Sequence, residues 1–215
     1  MSSLDRLATT LGRRDEIPNI ELAQSLVAAR DEEGVQELVD ALSRGPAPIA
    51  ADAIKVLYEA GAIDPSIIAP YAAEFAALLR SRNNRMVWGA ASALHAISLG
   101  APEAVTPHLP TLMDAVASGS VITADRGIGA IANGALGDAA ATEFVLDHLR
   151  TCGAKYVPLR GEYSLGAVTA ANAARFADVL EGRLDEQSTG GRARLKRLLR
   201  RIEGVEVKRT KGSPS

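Results

Sequence analysis

Apolar residues along this chain recur every three to four positions and hardly ever alternate with polar ones. In NNRMVWGAASALHAISLG, residues 83–100, the stripe is Val87, Ala90, Ala91, Leu94 and Ile97. In the next segment it is Leu109, Leu112, Met113 and Val116. This period predicts amphipathic helices, and the lack of β-branched runs with period two predicts no sheet. The breaks between stripes, EAGAIDP, SLGAPE and ALGDAA, read as helix–helix turns. Glycine there suits a helix C-cap, and Asp64 or Asp138 suits the next N-cap. Pro65 and Pro102 suit a first helical position, where no N–H is needed.

The stripes themselves repeat. Shifted by 37 residues, the chain matches itself without a gap from about residue 50 to residue 168. Leu57, Leu94 and Ile131 line up, as do Ile54, Ala91, Ile128 and Leu165. Leu38, Phe75, Leu112 and Leu149 form another ladder, and Leu42, Leu79 and Val116 a further one. One amphipathic helix pair cannot bury its apolar face, whereas stacked copies can. The prediction is an all-α fold, a right-handed α-solenoid of about five helix pairs. The pairs are expected at residues 18–44, 46–81, 83–118, 120–152 and 157–186, with a capping helix at 188–203. Residues 1–203 then form a single domain, and 204–215 a basic flexible tail.

With proline near the turn and small residues inside, this unit resembles a HEAT repeat or an armadillo-like relative. NNRMVWGAASAL is similar to the common HEAT pattern of a polar start followed by V..A...L. GSVITADRGIGAIA and LDHLRTC also resemble bacterial and archaeal HEAT-repeat proteins of uncharacterised function. The resemblance spans about residues 15–203 and implies a binding scaffold, since most proteins of this architecture bind and few catalyse.

Composition narrows the partners. Aromatics make up only 4% of the chain, and alanine and leucine dominate, which suits closely packed helices. A single cysteine allows no intramolecular disulfide. The N-terminal segment lacks a signal-peptide core, no membrane span is expected, and a cytoplasmic location follows. Net charge is −2, but it is unevenly spread. Residues 1–191 hold 15 Lys and Arg against 24 Asp and Glu, whereas residues 192–215 hold 9 against 2. In GRARLKRLLRRIEG, Leu195, Leu198, Leu199 and Ile202 share one helical face and cations cover the other. Such a helix caps the last pair, and its basic face is either a solvated cap face or a place for nucleic acid, an anionic membrane surface or an acidic protein to bind.

Candidate chemistry is sparse. GIGAIANGALG, residues 127–137, lacks the strand that a dinucleotide fingerprint needs, so close helix packing explains its glycines. His148 and Cys152 share a helix face, but a helix-end histidine and a passive thiol account for them. His95, His108 and His148 lie in different units without zinc-site spacing, and no metal or cofactor is expected. The only tryptophan, Trp88, lies on a flank with Arg85, Ser92 and His95. It either fills space between units or presents an edge beside Arg85 and Asp125. The 37-residue register sets Arg85 and Trp88 beside Thr123, Asp125 and Arg126, and these beside Arg160, Glu162 and Tyr163. These eight residues are the expected partner-binding patch, with Trp88 and Tyr163 as anchors.

The leading expectation is a non-enzymatic scaffold or adaptor that binds a protein partner through a groove lined by the second helices or along a solenoid edge. The alternative is a nucleic-acid-binding protein of HEAT-like build, such as a DNA glycosylase. A tetrapyrrole lyase of similar build is a third option, without a matching motif in this chain.

Overall fold

The computed structural model describes residues 2–210, with residues 206–210 described by backbone alone. Twelve α-helices and several 3-10 turns follow one another, and no strand occurs among the described residues. The helices are α1 (Ile17–Ala29), α2 (Glu32–Arg44), α3 (Ala47–Ile63) and α4 (Ala72–Leu78). Next come α5 (Asn84–Gly100), α6 (Pro102–Val105), α7 (Leu109–Ser118) and α8 (Val121–Gly134). The last are α9 (Ala139–Thr151), α10 (Val157–Tyr163), α11 (Ala173–Glu181) and α12 (Thr189–Thr210).

The caps follow local chemistry. Asp31, Asn83, Ser120 and Asp138 each accept a backbone N–H at the start of α2, α5, α8 and α9. Asp64 caps the 3-10 turn Pro65–Ile67 through the Ser66 N–H. Pro70 and Pro107 cannot sit in an α-helix interior, whereas Pro110 is tolerated in the first turn of α7. The second helices of these units therefore open with 3-10 turns, Ala69–Tyr71 and Thr106–His108, before α4 and α7 begin.

The three turn glycines were expected as C-caps, and none is one. The C-cap of α8 is Ala135, and Gly137, with φ 90°, stands two residues beyond it in the left-handed region, after Leu136 at φ 44°. Gly61 lies inside α3, where a Cβ would collide with Ile68. Gly100 is the last residue of α5 and lies against Pro65. These two are glycines because a neighbour comes close.

The register ladders are the core. Leu57, Leu94 and Ile131 are fully buried, and so are Ile54, Ala91 and Ile128. Leu38, Phe75, Leu112 and Leu149 are likewise fully buried. The helices bearing these ladders pack in sequence: α3 on α1, α5 on α3, α8 on α5, then α10 and the 3-10 turn Ser164–Ala167 on α8. Helices α2, α4 and α7 pack against the first helix of the next unit, α3, α5 and α8.

Two expectations change towards the C-terminus. The first helix of the 157–186 unit is cut to seven residues plus a 3-10 turn, and Leu165 is only partly buried. Gly166 lies so close to Asn133 of α8 that no side chain fits between them. The final helix does not stop at 203 but continues to Thr210, so the expected flexible tail is helical over 204–210. The rest of that tail, residues 211–215, lies outside the described residues. Leu195, Leu198, Leu199 and Ile202 are buried, and Leu198 meets Gly161 of α10. Among the described residues no helix is long and apolar enough to cross a membrane.

Candidate functional site

A cleft of about 420 Å³ opens along the outer side of α5, between α3 and α8. One wall is Lys55, Tyr58 and Glu59 of α3, and the other is Ile122 and Arg126 of α8. The floor is α5, which contributes Trp88, Ser92, His95 and Leu99. It is recessed because Ser92 and Ala96 are small. Trp88 to Leu99 spans about 16 Å along the helix axis, or three turns. The cleft therefore belongs to the first-helix row, whereas the sequence suggested a groove lined by second helices.

Trp88 is half-buried and packs on Tyr58, with ring centroids 5.8 Å apart and planes tilted by 55°. It fills space beside Tyr58 of α3 and lines the cleft, whose lining includes neither Arg85 nor Asp125. His95 is buried, with its ring edge-on to Tyr163 at 4.8 Å. It lies over Gly129, where a Cβ would come within 2.5 Å of His95 Nε2. Close approach at Gly129 and Gly166 was legible in the register, since both fall on one ladder with Lys55 and Ser92.

Lys55 breaks that ladder. Its ammonium binds Glu59 at 2.7 Å and Glu16 at 3.1 Å, and lies 5.0 Å from the Tyr58 ring centroid. Burial works against its charge, but hydrogen bonds to Glu59, Tyr58 and Glu16 prevail and hold its pKa above the ordinary lysine value. Lys55 is thus a fixed cation rather than a proton acceptor. Burial raises the Tyr58 phenol as well.

The eight expected patch residues do not form one surface. Arg85 is half-buried and faces Glu16 at 3.8 Å, not Asp125. Thr123 is fully buried, its hydroxyl 3.0 Å from Ser120 at the start of α8, so it cannot meet a partner. Asp125 turns inward to Arg160 at 2.8 Å. Arg160 is buried too; it reaches His148 Nε2 at 3.0 Å and stacks 4.5 Å from the Tyr156 ring centroid. Glu162 pairs with Arg194 of α12, and that hydrogen bond holds its carboxyl below the usual range. Only Trp88, Arg126 and Tyr163 gather at the cleft. Arg126 is exposed, donates to the Tyr163 hydroxyl at 3.1 Å and lies 5.8 Å from its ring centroid. The register placed backbones correctly, but the carboxylates turned away from the patch, Asp125 to the buried Arg160 and Glu162 to the partly exposed Arg194.

Sequence reasoning passed over Lys55, Tyr58 and Glu16. The one available sign was a long cation at a ladder position otherwise held by serine and glycine. Burial pushes the Cys152 thiol up, as a passive cysteine requires. Among the described residues, no three of His, Cys, Asp or Glu gather as a metal site would need.

Burial pulls both His95 and His148 down to about 4, helped by Arg126 at His95 and by Arg160 at His148. Both are neutral in the folded protein near pH 7, and His148 Nε2 can then accept from Arg160. In the unfolded chain each returns to about 6.5. The unfolded state therefore binds more protons between these values. Stability should be level above pH 6.5 and fall as pH drops from 6.5 towards 4. Melting temperatures across pH 4–8 check this, and the slope should flatten in His95→Gln; an equal slope in that variant removes the assignment.

Two crystal structures of engineered proteins are similar to this chain. One aligns with a TM-score of 0.63 at 19% identity, covering 95% of this chain and 98% of its own. The other aligns with a TM-score of 0.61 at 18% identity, covering 95% of this chain and all of its own. No family model matches the chain, and no curated protein matches it. At these identities the likeness concerns the fold alone: an all-α arrangement over nearly the whole length.

Proposed function

We propose that this chain is a non-enzymatic interaction module of HEAT-repeat type. In this reading it is a right-handed α-solenoid of about five helix pairs that seats a protein partner in the first-helix cleft. The coincidence of the 37-residue ladders with fully buried positions supports the repeat architecture. One observation carries the functional reading. A chain with 4% aromatics places its only tryptophan and two of its four tyrosines, Tyr58 and Tyr163, in or beside one cleft. Exposed Leu99 and Ile122 extend the apolar surface there. Tryptophan, tyrosine and arginine together are the usual anchors of a binding hot spot.

The ionisable groups of the cleft favour binding over catalysis. Lys55 is locked as a cation, and His95 has a ring, not a carboxylate, set against it. On the basic face of α12, Arg192 and Arg194 pair with Asp185 and Glu162, and the nucleic-acid alternative rests on Lys196, Arg197, Arg200 and Arg201, which form no ion pair among the described residues.

A photo-crosslinking amino acid placed at Leu99 or Ile122 tests the reading in cells, with Glu33 on the exposed side of α2 as the control position. Discrete adducts are expected at the two cleft positions, and they should vanish when Trp88→Ala is added. Equal adducts at Glu33, or adducts that survive Trp88→Ala in a folded protein, overturn the proposal.

A further inference from the structure

We infer that the cleft recognises an acidic, amphipathic segment of its partner, with a carboxylate set on Arg126 and apolar side chains against Trp88 and Leu99. This rests on the cleft being the partner site and adds the chemistry of what it takes.

Charge pairing around the cleft points there. Lys55 is neutralised by Glu16 and Glu59, and Arg85 faces Glu16. Arg160 is met by Asp125, and Glu162 by Arg194. Arg126 differs: its only polar partner among the described residues is the neutral Tyr163 hydroxyl. The hydroxyl and the ring face hold the guanidinium in place at the cleft edge, with the side chain exposed. Fixing it beforehand lowers the entropy lost when a carboxylate arrives. A guanidinium can meet that carboxylate with two parallel N–H donors.

His95 adds no competing charge. It is buried beside Tyr163 and neutral near pH 7, so Arg126 alone sets the sign of this stretch. Leu99 is 66% exposed and Ile122 48% exposed, a large apolar surface on either side of the cation. The trough is about three helical turns long, the scale on which an amphipathic helix presents anchors at i, i+3, i+4 and i+7.

The probes are two 12-residue amphipathic peptides with a neutral dye, one of leucine and glutamate and one of leucine and lysine. Anisotropy at about 0.15 M salt gives their affinities. The acidic peptide should bind at least about tenfold more tightly, and Arg126→Gln should bring the two within about twofold. Arg126 is exposed, so this variant should keep its fold, and an unchanged melting curve verifies that. Equal binding of both peptides, or a preference that survives Arg126→Gln, overturns the inference. If Leu99 and Ile122 still give specific adducts in that case, the partner site stands and only its acidic occupant falls. If the adducts fail as well, the interaction reading falls with it.

Discussion

Arg160→Ala is expected to cost about 3–5 kcal/mol, the usual penalty for removing one member of a buried ion pair. The side chain is 6% exposed and that of its partner Asp125 is 17% exposed. Two groups lose their hydrogen-bond partner together, the Asp125 carboxylate and His148 Nε2, and the Tyr156 ring loses one of its two cations, keeping Lys155. The loss exceeds one hydrogen bond because the remaining carboxylate stays largely shielded from water. Arg160→Lys should restore only part of it, since an ammonium cannot reach Asp125 and His148 with the same planar fork. Urea unfolding with the midpoint as readout checks this. A midpoint within experimental error of wild type would show that the cluster is not formed in solution. The same measurement on Asp125→Asn separates structure from recognition. A clear loss of stability there identifies Asp125 as a tie between α8 and α10.

Leu94→Ala should destabilise by about 2–5 kcal/mol, the range for deleting a buried leucine side chain. Leu94 is fully buried at the centre of α5, in register with Leu57 and Ile131. α5 packs on both α3 and α8, so a cavity there weakens two helix interfaces at once. Leu99→Ala, five residues on in the same helix, gives the contrast. Leu99 is 66% exposed, and its loss should stay within about 0.5 kcal/mol of wild type. Similar losses at the two positions would mean that α5 is rotated from the orientation described here. If Leu99→Ala spares stability but removes partner adducts, it also marks the cleft as a surface kept for binding.

The sequence by itself determined the helices, many of their caps and the buried ladders. Those features depend on information within one turn or one repeat. Asp138 caps α9 because a short side chain reaches the N–H three residues on. Leu57, Leu94 and Ile131 are buried because a 3.6-residue stripe has to face the neighbouring unit. The glycines of α8 were also legible as packing glycines: Gly127 meets Val116, Gly129 meets His95 and Gly134 meets Val105.

Only the tertiary structure decided which charged side chains meet. Arg85 turned to Glu16, about two repeats earlier, and Asp125 to Arg160, one repeat later. Arg183 of the 157–186 unit closed the C-terminal end of α9 by donating to the carbonyls of Leu149, Arg150 and Cys152. A long side chain can reach several partners, and burial selects among them, because an ion withdrawn from water must find a counter-charge or hydrogen bonds. The cleft followed from the same choices. Its floor is low because Ser92 and Ala96 are small, its α3 wall is neutralised by Glu16 and Glu59, and Arg126 remains at its rim without a carboxylate among the described residues. The register fixed the order of the backbones, but the direction of each charged side chain depended on the field of all its neighbours.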